Sequence, residues 1–144
     1  LKKFIPVGNR WDIQEIKGYK VINDSYNANP ESMRAFIDTV FELYKDAVVI
    51  LGDMGELGEN EIQYHRELGE YINTHKNIDN ASMVLSVGKL SKFITDSITN
   101  CTSKNFNTKN EIGDYIKNNI KPQTAIFLKA SRSMKFEDII NLLK

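Results

Sequence analysis

The sequence predicts an α/β domain built on a mostly parallel sheet, with an antiparallel strand at its edge and helices flanking it. Three observations predict it. Short apolar runs, Ala47-Val48-Val49-Ile50-Leu51, Met83-Val84-Leu85-Ser86-Val87 and Thr124-Ala125-Ile126-Phe127-Leu128, read as strands buried on both faces. Segments with apolar residues at helical spacing separate them, so strand and helix alternate along most of the chain. Only the first two strand-like segments are joined by a tight turn, Lys17-Gly18, which makes them an antiparallel hairpin. A chain of 144 residues is about one domain and can bury a core without disulfides or structural metal.

Residues 1–9, with Pro6 and Gly8, read as the end of an interdomain linker, and the domain is expected over residues 10–144. Residues 10–16 alternate imperfectly, as a strand does, and residues 19–23 form the next strand. Met33, Phe36, Ile37, Val40, Phe41 and Tyr44 then recur at helical spacing, predicting a helix over about residues 30–44. Its start is well specified: Asn29 suits the N-cap, Pro30 the first helical position, and Glu31 the positive end of the helix dipole. After the strand at 47–51 comes a glycine-punctuated acidic loop, residues 52–58. A second helix is expected over about 59–75, with Ile62, His65, Leu68 and Ile72 on one stripe, and residues 74–82 read as a surface loop. Leu90, Phe93, Ile94 and Ile98 mark a third helix, and Lys104-Asn105-Phe106 a weak strand. Thr108 and Glu111 form a capping box that opens a helix with Ile112, Tyr115 and Ile116 inward. Pro122 closes that region, and Phe136, Ile139, Ile140 and Leu143 line a last helix.

Composition excludes several function classes. Nineteen basic residues balance nineteen acidic ones, so there is no electrostatic case for nucleic acid or an anionic membrane. No apolar run approaches the ~20 residues that span a bilayer. No signal peptide is visible, although a chain beginning at Leu1 implies that its true start is missing or removed. The single Cys101 permits no intrachain disulfide and fits a reducing compartment, so a cytoplasmic location is expected.

Candidate chemistry concentrates in three loops that follow strands, 24–29, 52–58 and 129–133. In a parallel sheet such loops crowd the carboxyl edge, where ligands bind. In the first, Asp24, Asn27 and Asn29 are either turn and capping residues or hydrogen-bonding groups for a base or ribose, with the Tyr26 ring as an apolar surface. The second is not a phosphate cradle, because Gly-Lys-Ser/Thr is missing after its glycines. Its Asp53 and Glu56 repel phosphate and suit an ammonium group or an interdomain cation, or are solvated acids on a tight turn. His65 reads as a satisfied, partly buried histidine on an apolar face; His75 carries no comparable signal. No Cys/His cluster has metal-ligand spacing, so no structural zinc is expected. In the third loop, Lys129-Ala130-Ser131-Arg132-Ser133 brings two cations, two hydroxyls and the N–H groups of a starting helix together, which suits a carboxylate or phosphate. The plainer reading makes Ser133 an N-cap and Arg132 a surface charge.

These stretches also carry a resemblance. Asn23-Asp24-Ser25-Tyr26-Asn27-Ala28-Asn29-Pro30-Glu31-Ser32-Met33, then Leu51-Gly52-Asp53-Met54-Gly55-Glu56-Leu57-Gly58 with His65 behind it, then Lys129-Ala130-Ser131-Arg132-Ser133-Met134, resemble the signatures of the C-terminal domain of Mur ligases. They occur in family order over nearly the whole chain. Within the family they are most similar to the branch that adds D-alanyl-D-alanine to UDP-N-acetylmuramoyl-tripeptide. The resemblance implies a Rossmann-like fold and an ATP-dependent ligase that works through an acyl phosphate. It implies nucleotide contacts at Arg10, Asp24, Tyr26, Asn27 and Asn29. It places Asp53 and Glu56 toward the cleft, with His65 supporting their loop. Lys129, Ser131 and Arg132 are implied to meet the incoming dipeptide or the acyl phosphate. The phosphate-binding loop, the UDP-sugar site, the Mg²⁺ ligands and a modified lysine belong to the central and N-terminal domains, which this sequence does not contain. The chain is therefore expected to be inactive alone and to act with those domains as partners. The rivals are a related Mur ligase, a folylpolyglutamate synthase-like domain, and a stand-alone Rossmann-like binding module.

Overall fold

The hairpin at one edge is made by strands β1 (Asp12–Ile16) and β2 (Tyr19–Asn23), paired antiparallel with Ile16 opposite Tyr19. Lys17 (φ 50°) and Gly18 (φ 88°) both sit at positive φ, the turn handedness that matches the twist of paired strands. The computed structural model describes residues 11–144. The 1–9 linker and Arg10 lie outside the described residues.

Helix α1 (Pro30–Leu43) starts as the sequence dictates. Asn29 Oδ1 accepts from the Ser32 N–H at 2.8 Å, and Ser32 Oγ accepts from the Asn29 N–H at 3.0 Å. This reciprocal cap satisfies two donors that a helix N-terminus leaves open. Met33, Phe36, Ile37, Val40 and Phe41 are buried along its inner face. The chain continues through β3 (Ala47–Gly52), buried at every residue, α2 (Glu61–Asn73), β4 (Ala81–Val87), α3 (Lys92–Asp96) and β5 (Thr102–Phe106). It then forms α4 (Lys109–Asn119), β6 (Ala125–Lys129) and α5 (Glu137–Leu143). The capping box at Thr108 and Glu111 forms as expected.

The six strands run in the order β1-β2-β6-β3-β4-β5, with every pair except β1–β2 parallel. From β2 to β5 the chain steps in one direction, so right-handed crossovers carry α1, α2 and α3 over the same face. From β5 it returns to insert β6 between β2 and β3, and the same rule sends α4 to the opposite face. Two apolar clusters confirm this division. One joins α1, α2 and α3 to the sheet through Phe41, Leu68 and Ile94, and the other joins α4 and α5 through Ile112, Ile116 and Ile139. The chain therefore leaves β2 and β3 toward one face and β6 toward the other. This reversal of direction opens a crevice at the carboxyl ends of these three neighbouring strands.

Four local expectations are corrected. Ile62 is 40% exposed, because the inward stripe of α2 begins at His65 and its first turn stays in solvent with the 3-10 turn Gly58–Asn60. The stretch 74–82 is not a plain loop: Ile78 is buried in a 3-10 turn, Ile78–Asn80, and the strand already begins at Ala81. Ala81 and the exposed Ser82 gave no apolar signal for it. The third helix is a short one, and Leu90 and Ile98 flank it. The last helix starts at Glu137, after a 3-10 turn over Arg132–Met134 and a left-handed Lys135 (φ 51°), so Ser133 is not its N-cap.

Candidate functional site at the carboxyl edge

The loops after β2, β6 and β3 sit side by side, because β6 lies between the other two strands. Bonds between loops hold them in place. The ladder extends into the first turn, with the Asp24 N–H donating to the Leu128 carbonyl at 2.7 Å. Beyond it, Lys129 Nζ lies 2.8 Å from the Asn27 carbonyl oxygen and 3.1 Å from Asp24 Oδ2. Lys129 is 3% exposed, and its ammonium also lies 5.8 Å from the centre of the Phe36 ring. Trp11 Nε1 donates to the same Asp24 oxygen at 3.3 Å, and its ring packs edge-on against Phe36 and Phe127.

On the outer side of the same crevice, the Arg132 guanidinium lies 5.4 Å from the centre of the Tyr26 ring. Tyr26 is 74% exposed. Ser131 Oγ and Ser133 Oγ are 3.1 Å apart, and the Ser131 N–H donates to the Asp53 carbonyl at 3.0 Å, joining the third loop to the second. Gly52 permits this approach: a Cβ there would lie 2.6 Å from Ala130 Cβ and 2.7 Å from the Phe136 ring.

The acidic loop is fixed from beneath. His65 is fully buried; its Nε2 accepts from the Met54 N–H at 3.0 Å, which leaves Nδ1 to donate to the Glu61 carbonyl at 2.6 Å. The histidine is thus a satisfied core residue whose contact holds the loop. Asp53 Oδ1 accepts from the Ser91 N–H at 2.7 Å and the Leu90 N–H at 3.2 Å. Its carboxylate is therefore engaged with the loop after β4. Glu56, exposed and at φ 57°, makes no ion pair among the described residues.

The structure thus brings together ten of the residues singled out in the sequence: Asp24, Tyr26, Asn27, Asn29, Asp53, Glu56, His65, Lys129, Ser131 and Arg132. They differ in what remains open to a ligand. Asn29 Oδ1 caps α1, and Lys129 faces inward onto the first turn. The Asn27 side chain and Asp24 Oδ1 have no partner among the described residues. Sequence reasoning missed Trp11 as a partner of Asp24, although the hairpin through Lys17-Gly18 sets the two opposite each other, one step beyond the Asp12–Asn23 pair.

His75, which carried no signal, belongs to a separate cluster. Asp38 accepts from Tyr71 at 2.6 Å and from His75 at 2.8 Å, and this bond holds the Tyr71 phenol above its ordinary range.

A crevice at a switch point, edged by a polar helix-capping turn and an acidic glycine loop, defines an α/β domain of the class that places ligands outside the carboxyl ends of its strands. Residues 9–132 match the family described as "Mur ligase, glutamate ligase domain", and the chain belongs to that family. Its relatives are more specific. The UDP-N-acetylmuramoyl-tripeptide–D-alanyl-D-alanine ligase of Haemophilus influenzae is 36% identical over 143 residues, covering 95% of this chain and 30% of that protein. The enzyme of the same name from Bacillus subtilis is 35% identical over 134 residues, covering 89% of this chain and 28% of that protein. Among solved structures, MurF from Acinetobacter baumannii superposes with a TM-score of 0.78 at 28% identity, covering 94% of this chain and 30% of that one. MurF from Thermotoga maritima in complex with ADP shares the fold, with a TM-score of 0.75 at 24% identity, covering 99% of this chain and 31% of that one. The chain spans about 30% of the length of these relatives. No helix among the described residues is long and apolar enough to cross a membrane.

Proposed function

We propose that this chain is the C-terminal domain of an ATP-dependent ligase that adds D-alanyl-D-alanine to UDP-N-acetylmuramoyl-tripeptide, a peptidoglycan precursor, in the cytoplasm. The observation that carries the reading is the crevice itself, where loops 24–29, 52–58 and 129–133 are cross-bonded yet keep polar ends free. In the reaction, a carboxylate oxygen of the tripeptide attacks the γ-phosphate of ATP, giving an acyl phosphate and ADP. The amine of the dipeptide then attacks the acyl carbon, forming the amide, losing a proton and expelling phosphate.

In this reading Asp24, Asn27 and Asn29, with Arg10, hydrogen-bond the base and ribose, and Tyr26 offers its ring. Ser131 and Arg132 meet the dipeptide carboxylate, while Glu56, on the loop anchored by Asp53 and His65, faces its ammonium group. Among the described residues no three His, Cys, Asp or Glu side chains gather to hold a metal ion. In this reading the ligands of the Mg²⁺ used by such a ligase lie on the other domains of the enzyme. The phosphate-holding half of the site belongs to the central domain, so this domain closes over that one and completes the cleft. Alone it does not ligate.

The test is ATP- and D-alanyl-D-alanine-dependent phosphate release by the intact enzyme with UDP-N-acetylmuramoyl-tripeptide. Asn27→Ala is expected to raise KM for ATP about tenfold, and Arg132→Ala to raise KM for the dipeptide or lower kcat by a similar factor. Absence of activity with this substrate set removes the reading. Turnover by the 144-residue chain alone contradicts the division of labour between domains.

A further inference from the structure

Lys129 presents an unusual arrangement for a residue in a substrate loop. It ends a buried strand, its side chain is 4% exposed, and both acceptors of its ammonium lie on a different loop, 102 residues away for Asn27. An ammonium buried this deeply is tolerated only where it is paired and hydrogen-bonded, so Asp24 and the Asn27 carbonyl are required partners. In return, that contact fixes the backbone at the middle of the nucleotide turn. Asp24 is fixed as well: Oδ2 receives both Lys129 and Trp11, leaving Oδ1 for a ligand. Arg132, three residues on, stacks on Tyr26 from the solvent side. Loop 129–133 therefore grips turn 24–29 from below and from outside.

We propose that Lys129 is a positioning residue for the nucleotide turn and not a substrate ligand, pinning that turn in one geometry through Asp24 and the Asn27 carbonyl. The proposal rests on the ligase reading for what each loop binds, but not for the pin itself.

Two measurements on Lys129→Met test it. The first is amide hydrogen exchange in this chain, comparing the hydrogen-bonded Asp24 and Asn29 amides with β3 amides as an internal reference. Exchange at Asp24 and Asn29 about tenfold faster, with β3 unchanged, is the expected result. Equal exchange in variant and wild type overturns the pin. The second is the kinetics of the intact ligase. The variant is expected to raise KM for ATP about tenfold while dipeptide KM at saturating ATP stays within about twofold. A raised dipeptide KM with ATP KM unmoved makes Lys129 a substrate ligand and overturns the proposal. Absence of wild-type turnover removes the ligase reading instead, and the exchange comparison then decides the pin alone.

Discussion

The two edges of the sheet differ in a way that volume alone would misreport. At the amino edge lies a broad hollow of about 930 Å³, lined by Lys20, Tyr44, Lys45, Asn80, Lys121 and Thr124 among others. Its three lysines are exposed and make no ion pair among the described residues. Its turns are also tied across the chain, by the Gln123 N–H to the Gly18 carbonyl at 2.8 Å, Tyr19 Oη to the Ile120 carbonyl at 2.7 Å and Asn80 Nδ2 to the Phe41 carbonyl at 2.6 Å. At the carboxyl edge side chains hold the loops: Lys129 reaches Asn27, Asp53 reaches Ser91, and His65 of α2 reaches Met54. What sets the carboxyl edge apart is that buried ionisable side chains, Lys129 and His65, hold its loops while other polar groups of those loops stay free, the arrangement preorganisation requires. At the amino-edge hollow the charged lining groups, Lys20, Lys45 and Lys121, are solvated and hold no backbone in place among the described residues.

Substitutions can break this contrast or sharpen it. The largest effect is expected for Gly52→Ala. Its Cβ would be forced against Ala130 and the buried Phe136 ring, so stability should fall by roughly 3 kcal/mol, read by urea denaturation. Wild-type stability would show that the β3 and β6 ends are not tightly apposed. Next comes His65→Leu, which strands the Met54 N–H and should cost about 2 kcal/mol. In the intact enzyme it should also weaken dipeptide binding through the acidic loop. Loss of stability with unchanged dipeptide KM would separate the histidine from function. The smallest effect belongs to the amino edge. Gln123 sits at φ 80°, where glycine is at ease, so Gln123→Gly should raise stability by roughly 0.5 kcal/mol and leave both KM values unchanged. A kinetic effect there would blur the distinction between the edges.

How much of this was legible in the sequence follows from the range of each interaction. The α1 cap needs only Asn29 and Ser32, three residues apart, and the α4 capping box only Thr108 and Glu111, so both helix starts could be read directly. The buried strands announced themselves by composition, and their helices by period. Placement of three polar loops on one edge followed from parallel topology alone. What each side chain does there was not legible, because it depends on β6 inserting between β2 and β3. That insertion turns Lys129 onto Asp24 and Asn27 and lays Arg132 over Tyr26. Sequence equally gave no sign that Asp53 would turn to the Ser91 N–H while Glu56 stayed free. The shortened third helix and the buried Ile78 were hidden for a simpler reason: each turns on one or two apolar residues, too few to show a period.

The central claim, that the carboxyl edge is the working edge, is tested most directly by amide chemical-shift mapping of this chain titrated with ATP. The account predicts weak binding, with shifts concentrated in residues 24–29 and spreading to 129–133 through Lys129, and none at residues 44–46 or 119–124. Shifts concentrated around the amino-edge hollow, or none at residues 24–29 at millimolar ATP, would contradict it.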